Sequence, residues 1–467
     1  MKAIRLLIVA TLITSAATAR SYDSRDYRRA ARNEAEVVLI VDDNESEPEI
    51  YEFENPEEAK IKLRERADCK LKCKEIASMQ LTEVVPTGFS SAKSPSLVFT
   101  QKENKFSFGI GGFINFRTSY DFNGTVENID FVTADIPIPG TYASHQQIMM
   151  DASTSRVFLA GVVNSRALGA VEIYFDMDFR GNTGYNGSGI TNSYTPRVRD
   201  AYAKFLGITV GRTVTTFCDL HSAPETVDFQ GPSAYPFNFA TMIRYEHTFC
   251  DDRLTAAIAL EQPSLSATYG STYEAIPQRV PDLPVYLQYS FGTKRDNHFR
   301  ASAVFRDMYA YDATDDENTA LFGWGVQASG RVTPFEWMGL CFNGIYGKGI
   351  SRYIQDLNGL GLDFTPNPED TSNIQTMPMY AWQAAMNLNL THRLTMNGGY
   401  SRVVVEKENG YYSDDQYRKS EYIFGNLFYS VTPRMVIACE YLYGQRINMN
   451  CLSNSANRVS LMTQLSF

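Results

Sequence analysis

The residues best placed to do chemistry in this chain are arginines. Arg117, Arg156, Arg199, Arg212, Arg244 and Arg306 all lie in segments that alternate apolar and polar residues. A guanidinium keeps its charge at any physiological pH, and its fork matches carboxylate and phosphate. Arginines gathered on one wall therefore recognise anions. The acids they could oppose are of two kinds. Glu172, Asp176 and Asp178 share one alternating segment, whereas Glu225 and Asp228 lie in a long stretch rich in turn residues. Catalysis has no comparable footing. The histidines, His145, His221, His247, His298 and His392, have neither a serine nucleophile elbow nor metal-type spacing, and read as loop or interface residues. No metal and no cofactor is expected. The cysteines, Cys69, Cys73, Cys218, Cys250, Cys341, Cys439 and Cys451, are odd in number and fit no zinc or disulfide framework.

A charged constriction needs a frame around water, and the two ends of the chain indicate which frame. At the C-terminus, Val459, Leu461, Thr463, Leu465 and Phe467 alternate with Arg458, Ser460, Met462, Gln464 and Ser466. Such a strand suits a bilayer, with one face on lipid and the other on an aqueous lumen. At the N-terminus, Lys2 and Arg5 precede an apolar run over residues 6–16 and the small-x-small site Ala17-Thr18-Ala19. This reads as a secretory signal peptide over residues 1–19, cleaved after Ala19. No later stretch has the roughly 18 apolar residues of a spanning helix.

Composition agrees with a barrel. The chain has 28 Tyr and 28 Phe against 3 Trp, which would furnish aromatic girdles at the membrane interfaces. The signal holds two of the 43 Lys and Arg and no acid, so its loss takes the net charge from −10 to −12, which disfavours nucleic acid as a partner.

Residues 20–55 form an acidic flexible linker. Asn55, Pro56, Glu57 and Glu58 then supply a cap, a first-position proline and first-turn acids for a periplasmic helix over residues 56–84. Ala59, Leu63, Ala67, Leu71 and Ile76 give it a narrow stripe compatible with a short coiled coil. Cys69 and Cys73 lie one turn apart on it, where a bond between protomers would staple an oligomer. A second linker covers residues 85–104, and residues 105–467 form the barrel.

Within the barrel, short and long connections alternate. Tight turns are expected at residues 165–168, 206–207, 250–253, 292–297, 333–336, 391–393 and 432–434. Outer loops are expected near 121–153, 181–195, 218–238, 263–281, 312–319, 348–378, 408–416 and 448–455. Seven turns and eight loops join 16 strands, an all-β antiparallel transmembrane barrel preceded by a short periplasmic helix. In the third strand Glu172, Tyr174, Asp176, Asp178 and Arg180 face inward against Val171, Ile173, Phe175, Met177 and Phe179. The fourth strand breaks this pattern: Arg197 and Arg199 fall on one face, Asp200 and Lys204 on the other. One of those faces would expose charge, which points to a protein–protein interface through the early strands.

The third outer loop, residues 218–238, is expected to fold inward and narrow the lumen, its acids facing the arginine wall. Arg212→Glu is then expected to lower anion preference.

Several motifs bear a family resemblance. They are Ile136-Pro137-Ile138-Pro139-Gly140, Ser155-Arg156, Arg199-Asp200-Ala201-Tyr202, Gly211-Arg212-Thr213-Val214-Thr215-Thr216-Phe217 and Pro224-Glu225-Thr226-Val227-Asp228-Phe229-Gln230-Gly231-Pro232. On them the chain resembles the DcaP-like trimeric outer-membrane porins over roughly residues 105–467, most densely before Pro232. The resemblance implies a 16-stranded homotrimer with an infolded third loop, passing small, often anionic, solutes such as dicarboxylates. The expected function is thus passive diffusion of small hydrophilic, anionic solutes across a Gram-negative outer membrane. Membrane lipid, lipopolysaccharide and sister protomers would be the partners. The alternatives are a structural or cell-wall-anchoring barrel and a barrel-embedded hydrolase. An energised transporter would need a globular plug, for which residues 20–104 offer only linkers and one helix.

Overall fold

The computed structural model describes residues 80–81, 83–86, 95, 97–101, 105–181, 194–292 and 297–467, together with the backbone of 37–41. The expected signal peptide, the acidic linker apart from residues 37–41, and most of the expected helix, with Cys69 and Cys73, lie outside the described residues. Only Gln80, Leu81, Glu83 and Val84, at the end of that span, are described as helical.

Sixteen antiparallel strands close into a barrel. They are β1 (Phe106–Asn123), β2 in two segments (Gln147–Asp151 and Arg156–Ser165), β3 (Gly169–Asp178), β4 (Arg197–Phe205) and β5 (Ile208–Val214). β6 (Phe239–Phe249), β7 (Leu254–Glu261), β8 (Leu283–Phe291), β9 (Asn297–Asp312), β10 (Glu317–Phe335) and β11 (Met338–Lys348) follow. β12 (Pro378–Asn389), β13 (Leu394–Val405), β14 (Tyr417–Ser430), β15 (Met435–Asn448) and β16 (Ser453–Ser466) complete the wall. Each strand pairs with its sequence neighbour, and β16 returns to β1, with Ser466 opposite Phe113 and Gln464 opposite Asn115. Closure pairs the backbone groups that an open edge would leave bare in lipid. Among the described residues no helix is long and apolar enough to cross a membrane.

The alternation read from the sequence sets the faces. On β1, Ile114 and Phe116 are 56% and 46% exposed, whereas Asn115 and Arg117 between them are buried. A large side chain left exposed on a strand, with a buried polar neighbour on either side, belongs to a wall wet within and greasy without. Phe106, Phe249, Phe299, Phe335, Trp337 and Phe467 are exposed near the short-turn rim and form an aromatic belt there.

Three expectations are corrected. First, β10 runs on through Phe335, so the tight turn is at residues 336–337 and not at 333–336; a register shift between Val332 and Phe335 accommodates Pro334. Second, both spans read as linkers hold a strand: Val37–Val41 in the first pairs in parallel with Leu97–Gln101 in the second, and Leu97–Gln101 is the one next to β1. It pairs with Ser107–Ile110 of β1, below the point where β16 runs out at Phe467, and so covers an otherwise bare edge. Third, β4 carries a bulge. Asp176 pairs with Asp200 but Met177 pairs with Val198, leaving Arg199 as the extra residue. The slip turns Arg197, Arg199, Asp200 and Lys204 all toward the lumen, and the outward face holds Val198, Ala201 and Ala203. The exposed charge that pointed to an interface is therefore absent.

Candidate functional site

The third outer loop, residues 215–238, lies inside the barrel, tied to inward-facing residues around the wall. At its base Glu261 of β7 accepts hydrogen bonds from Thr215 Oγ1 and the Thr216 N–H, both at 2.7 Å. Next, the Asp219 carboxylate meets His298 Nε2 of β9 at 2.8 Å and accepts from Ser329 Oγ of β10 at 2.7 Å. Arg300 donates to the Cys218 carbonyl at 3.0 Å. At the tip, Glu440 of β15 accepts from the Val227 and Asp228 N–H groups at 2.9 and 2.7 Å. On the return, Ser401 of β13 accepts from the Ala234 N–H at 2.8 Å, and Asn343 of β11 donates to the Ala234 carbonyl at 3.1 Å. Irregular backbone at membrane depth needs such partners, because it has neither a ladder nor free water to satisfy it.

Two other loops follow it inward. Asp356, in the loop after β11, accepts from Thr133 Oγ1, the Ala134 N–H, Tyr417 Oη and Ser420 Oγ. Ile350, Tyr353, Ile354 and Leu357 of the same loop, with Phe217 and Ala234 of the third, pack on Met379, Ala381 and Val403 of β12 and β13. The sequence reading missed this apolar packing inside the outer mouth. The run Ile350–Leu357 is short and non-periodic, and nothing local separates it from an ordinary surface loop.

The charged residues sort into distinct groups. Arg117, Arg156 and Arg199 come together on β1, β2 and β4, joined by Arg180 and Arg197, which the candidate set omitted. Arg117 pairs with Asp130 at 3.2 Å and Asp151 at 3.3 Å, Arg156 with Asp176 at 3.4 Å, and Arg180 with Asp130. Arg197 and Arg199 share Asp178, at 2.6 and 3.1 Å. Asp176 and Asp178 are thus counter-ions of this wall, not part of a separate acidic patch. The Phe229 ring of the third loop stands between three guanidiniums, 5.8 Å from Arg117, 5.1 Å from Arg180 and 5.3 Å from Arg199.

The remaining candidates lie elsewhere. Arg244 is on the inward face of β6, half-buried, and Glu172 faces Lys204 across the β3–β4 ladder. Arg306 is locked by Asp282 at 3.2 Å, Asp363 at 3.0 Å and the carbonyls of Gly349 and Ser264. Arg212 shares a strand face with the exposed Val210, opposite the buried Thr209 and Thr213, and donates to the Val198 carbonyl at 3.3 Å. By strand parity it falls on the outer face, with its guanidinium 5.4 Å from the Phe239 ring on which Arg199 also packs. Glu225 is exposed toward the bore, near Asn387 and Asn397, while Asp228 is buried and accepts from the Phe131 N–H and Tyr422 Oη, both at 3.0 Å.

The two docked loop acids differ in their proton affinity. Burial alone would raise the Asp219 carboxyl, but Arg300 and the bonds from His298 and Ser329 outweigh it and hold it well below the usual carboxylate range. Asp228 is pushed up to about 6, first by burial and then by its neighbour Asp130. Between the arginine wall and the infolded loops lies a cavity of about 390 Å³, faced by Arg180, Arg197, Arg199, Phe229 and Asp135.

A transmembrane barrel whose bore is crossed by an internal loop and walled by paired arginines is the form of an outer-membrane channel. The family model for DcaP outer membrane proteins matches residues 87–467, and the chain belongs to that family. Its place is therefore the outer membrane of a Gram-negative bacterium. The crystal structure of the outer-membrane channel DcaP of Acinetobacter baumannii superposes with a TM-score of 0.66 at 18% identity, covering 78% of this chain and 97% of that one. Salmonella typhi OmpF, solved with daunomycin, gives a TM-score of 0.51 at 11% identity over 78% of this chain and 98% of its own. A loop-deleted OmpT of Vibrio cholerae gives 0.50 at 10% over 78% and 100%. These likenesses show the fold. No curated protein matches the chain in sequence.

Proposed function

We propose that this protein is a passive diffusion channel for small hydrophilic solutes with a preference for anions, exported by a signal peptide ending at Ala19. The third loop narrows its bore, and neither catalysis nor energy input takes part. The observation that carries the reading is the path of residues 215–238, hydrogen-bonded to inward-facing groups on β7, β9, β10, β11, β13 and β15. A loop held across a barrel of this size leaves an eyelet, and the side chains at its edge act on whatever passes.

The sign of the preference turns on which charge is free. Most guanidiniums of the wall are buried against aspartates, whereas the Arg197 side chain is 33% exposed and shares its one carboxylate with Arg199. Arg197 is therefore the guanidinium of this wall most open to a passing carboxylate. The test is conductance of the purified protein in a planar bilayer, with the reversal potential taken under a KCl gradient. A chloride-favouring reversal that Arg197→Glu shifts toward potassium supports the reading. Arg212→Glu, on the outer face, is now expected to leave the reversal unchanged. Silence from a folded barrel would overturn the channel, and a potassium-favouring reversal would overturn the preference.

A homotrimer forms part of the proposal. The wall is low over β5 and β7, of 7 and 8 residues, where a lipid-facing strand needs about 9–11. Contact with sister barrels would relieve that shortfall.

A further inference from the structure

The inward wall is not wet throughout. Toward the short-turn rim, Phe158, Ala160 and Val162 of β2 and Tyr174 of β3 all point inward, and none is more than 3% exposed. Four apolar side chains side by side on the inner face do not suit an open, water-filled bore. They are covered by the chain's own N-terminal segment. Leu81, Val84, Val85 and Val98 pack against them, at 0%, 4%, 5% and 1% exposure, and Tyr202 of β4 closes one side of the cluster.

The wall is shaped for this occupant. A Cβ at Gly109 would stand 2.7 Å from Pro95, and one at Gly111 would stand 2.5 Å from Phe158 and 3.0 Å from the Pro95 backbone. Two side-chain-free positions on the inward face of β1 thus let Pro95 lie flat against the strand. The segment is also fastened in plane. Leu97–Gln101 pairs with β1, Thr100 Oγ1 meets Ser107 Oγ at 2.7 Å, and Phe99 stacks on Phe108 at 4.6 Å.

We propose that the segment around Leu81–Val85 and Pro95–Val98 is a built-in partial plug, seated in the periplasmic mouth of the barrel against β1–β4. It narrows the channel on the side opposite the third loop. The apolar patch is its seat, and leaving Leu81, Val84 and Val85 in water would expose both surfaces at once. The bore then has two constrictions in series, a polar one near the outer mouth and an apolar-backed one near the inner.

The inference rests on the channel reading, and its test separates the two. In the full chain, Leu81→Glu with Val84→Glu puts charge into the apolar seat. Single-channel conductance is expected to rise at least about 1.5-fold, because a helical turn of about 10 Å diameter leaves the bore. Unchanged conductance from a folded barrel, judged by its heat-dependent gel shift, would overturn the plug. A second measurement needs no conduction and only a conservative change. Ala160→Cys in the otherwise native chain is treated with a membrane-impermeant maleimide and read over the background of native thiols. Glu225→Cys, exposed in the bore, serves as the labelled reference. Protection of Ala160→Cys, lost when the two glutamates are added, supports the plug, and labelling equal to the reference sinks it. Channels silent in every variant would remove the diffusion reading and leave the labelling to decide the plug.

Discussion

At the scale of single residues, buried carboxylates hold the loops inside this barrel. Glu261, Glu440 and Asp356 each accept a loop backbone N–H together with other donors. A charged acceptor makes a stronger bond than a neutral one, and a loop N–H stripped of its partner inside the barrel costs about 1–3 kcal/mol. Asp228 adds a pH dependence. Its carboxyl is raised to about 6 in the docked loop, against about 3.9 for a solvated aspartate. The docked state therefore binds the proton more tightly, so docking is strongest below about 4 and weakens as the pH rises through about 6. The charged groups around it are Asp130, Arg117 and Arg458, with Glu440 beyond the loop backbone. Hydrogen exchange at the Phe131 N–H, which Asp228 accepts, should be slower at about pH 5 than at about pH 7 after correction for intrinsic rates. Asp228→Asn should flatten the difference, and a difference that persists in that variant would assign it to another group.

At the scale of elements, most of the wall was legible because a strand with lipid on one side and water on the other writes its register into the sequence. The third strand shows this: Glu172, Asp176 and Asp178 could face only one way, and they face inward. The fourth strand shows the limit. One extra residue at Arg199 reverses the parity of all that follows, and a bulge leaves no mark in a residue pattern except an apparent violation. The site was less legible for a related reason. Arg117, Arg156 and Arg199 were found by alternation, whereas Asp130, which pairs with Arg117 and Arg180, lies in the first loop and reaches the wall only through tertiary folding. The bulge makes its own prediction. Ala203 now faces outward and Lys204 inward, so Ala203→Glu, close to the short-turn rim, should cost up to about 1 kcal/mol and lower the heat-dissociation temperature. Lys204→Gln, which keeps a polar group beside Glu172 and Glu246 on the wet face, should change that temperature less. The opposite result would restore an unbulged register.

At the scale of the whole molecule, the wall is uneven. β9 and β10 run to 16 and 19 residues and β14, β15 and β16 to 14 each, while β5 and β7 have 7 and 8. A barrel alone in a bilayer must thin the membrane beside its low side or cover that side with protein. The low sector also carries exposed apolar residues, Val210 on β5, Ile243 on β6 and Leu260 on β7, while Phe322 stands exposed on the tall β10. If sister protomers cover the low side, the two sectors should respond differently to the same insult. Ile243→Arg would place a charge in the protomer interface, and the purified protein should fall from three copies to one by light scattering while each barrel stays folded. Phe322→Arg would face lipid, so it should lower the thermal stability of the assembly and leave its mass alone. A wild-type protein of single-copy mass, or a trimer indifferent to Ile243→Arg, would give the low wall back to lipid and leave membrane thinning as the explanation of its height.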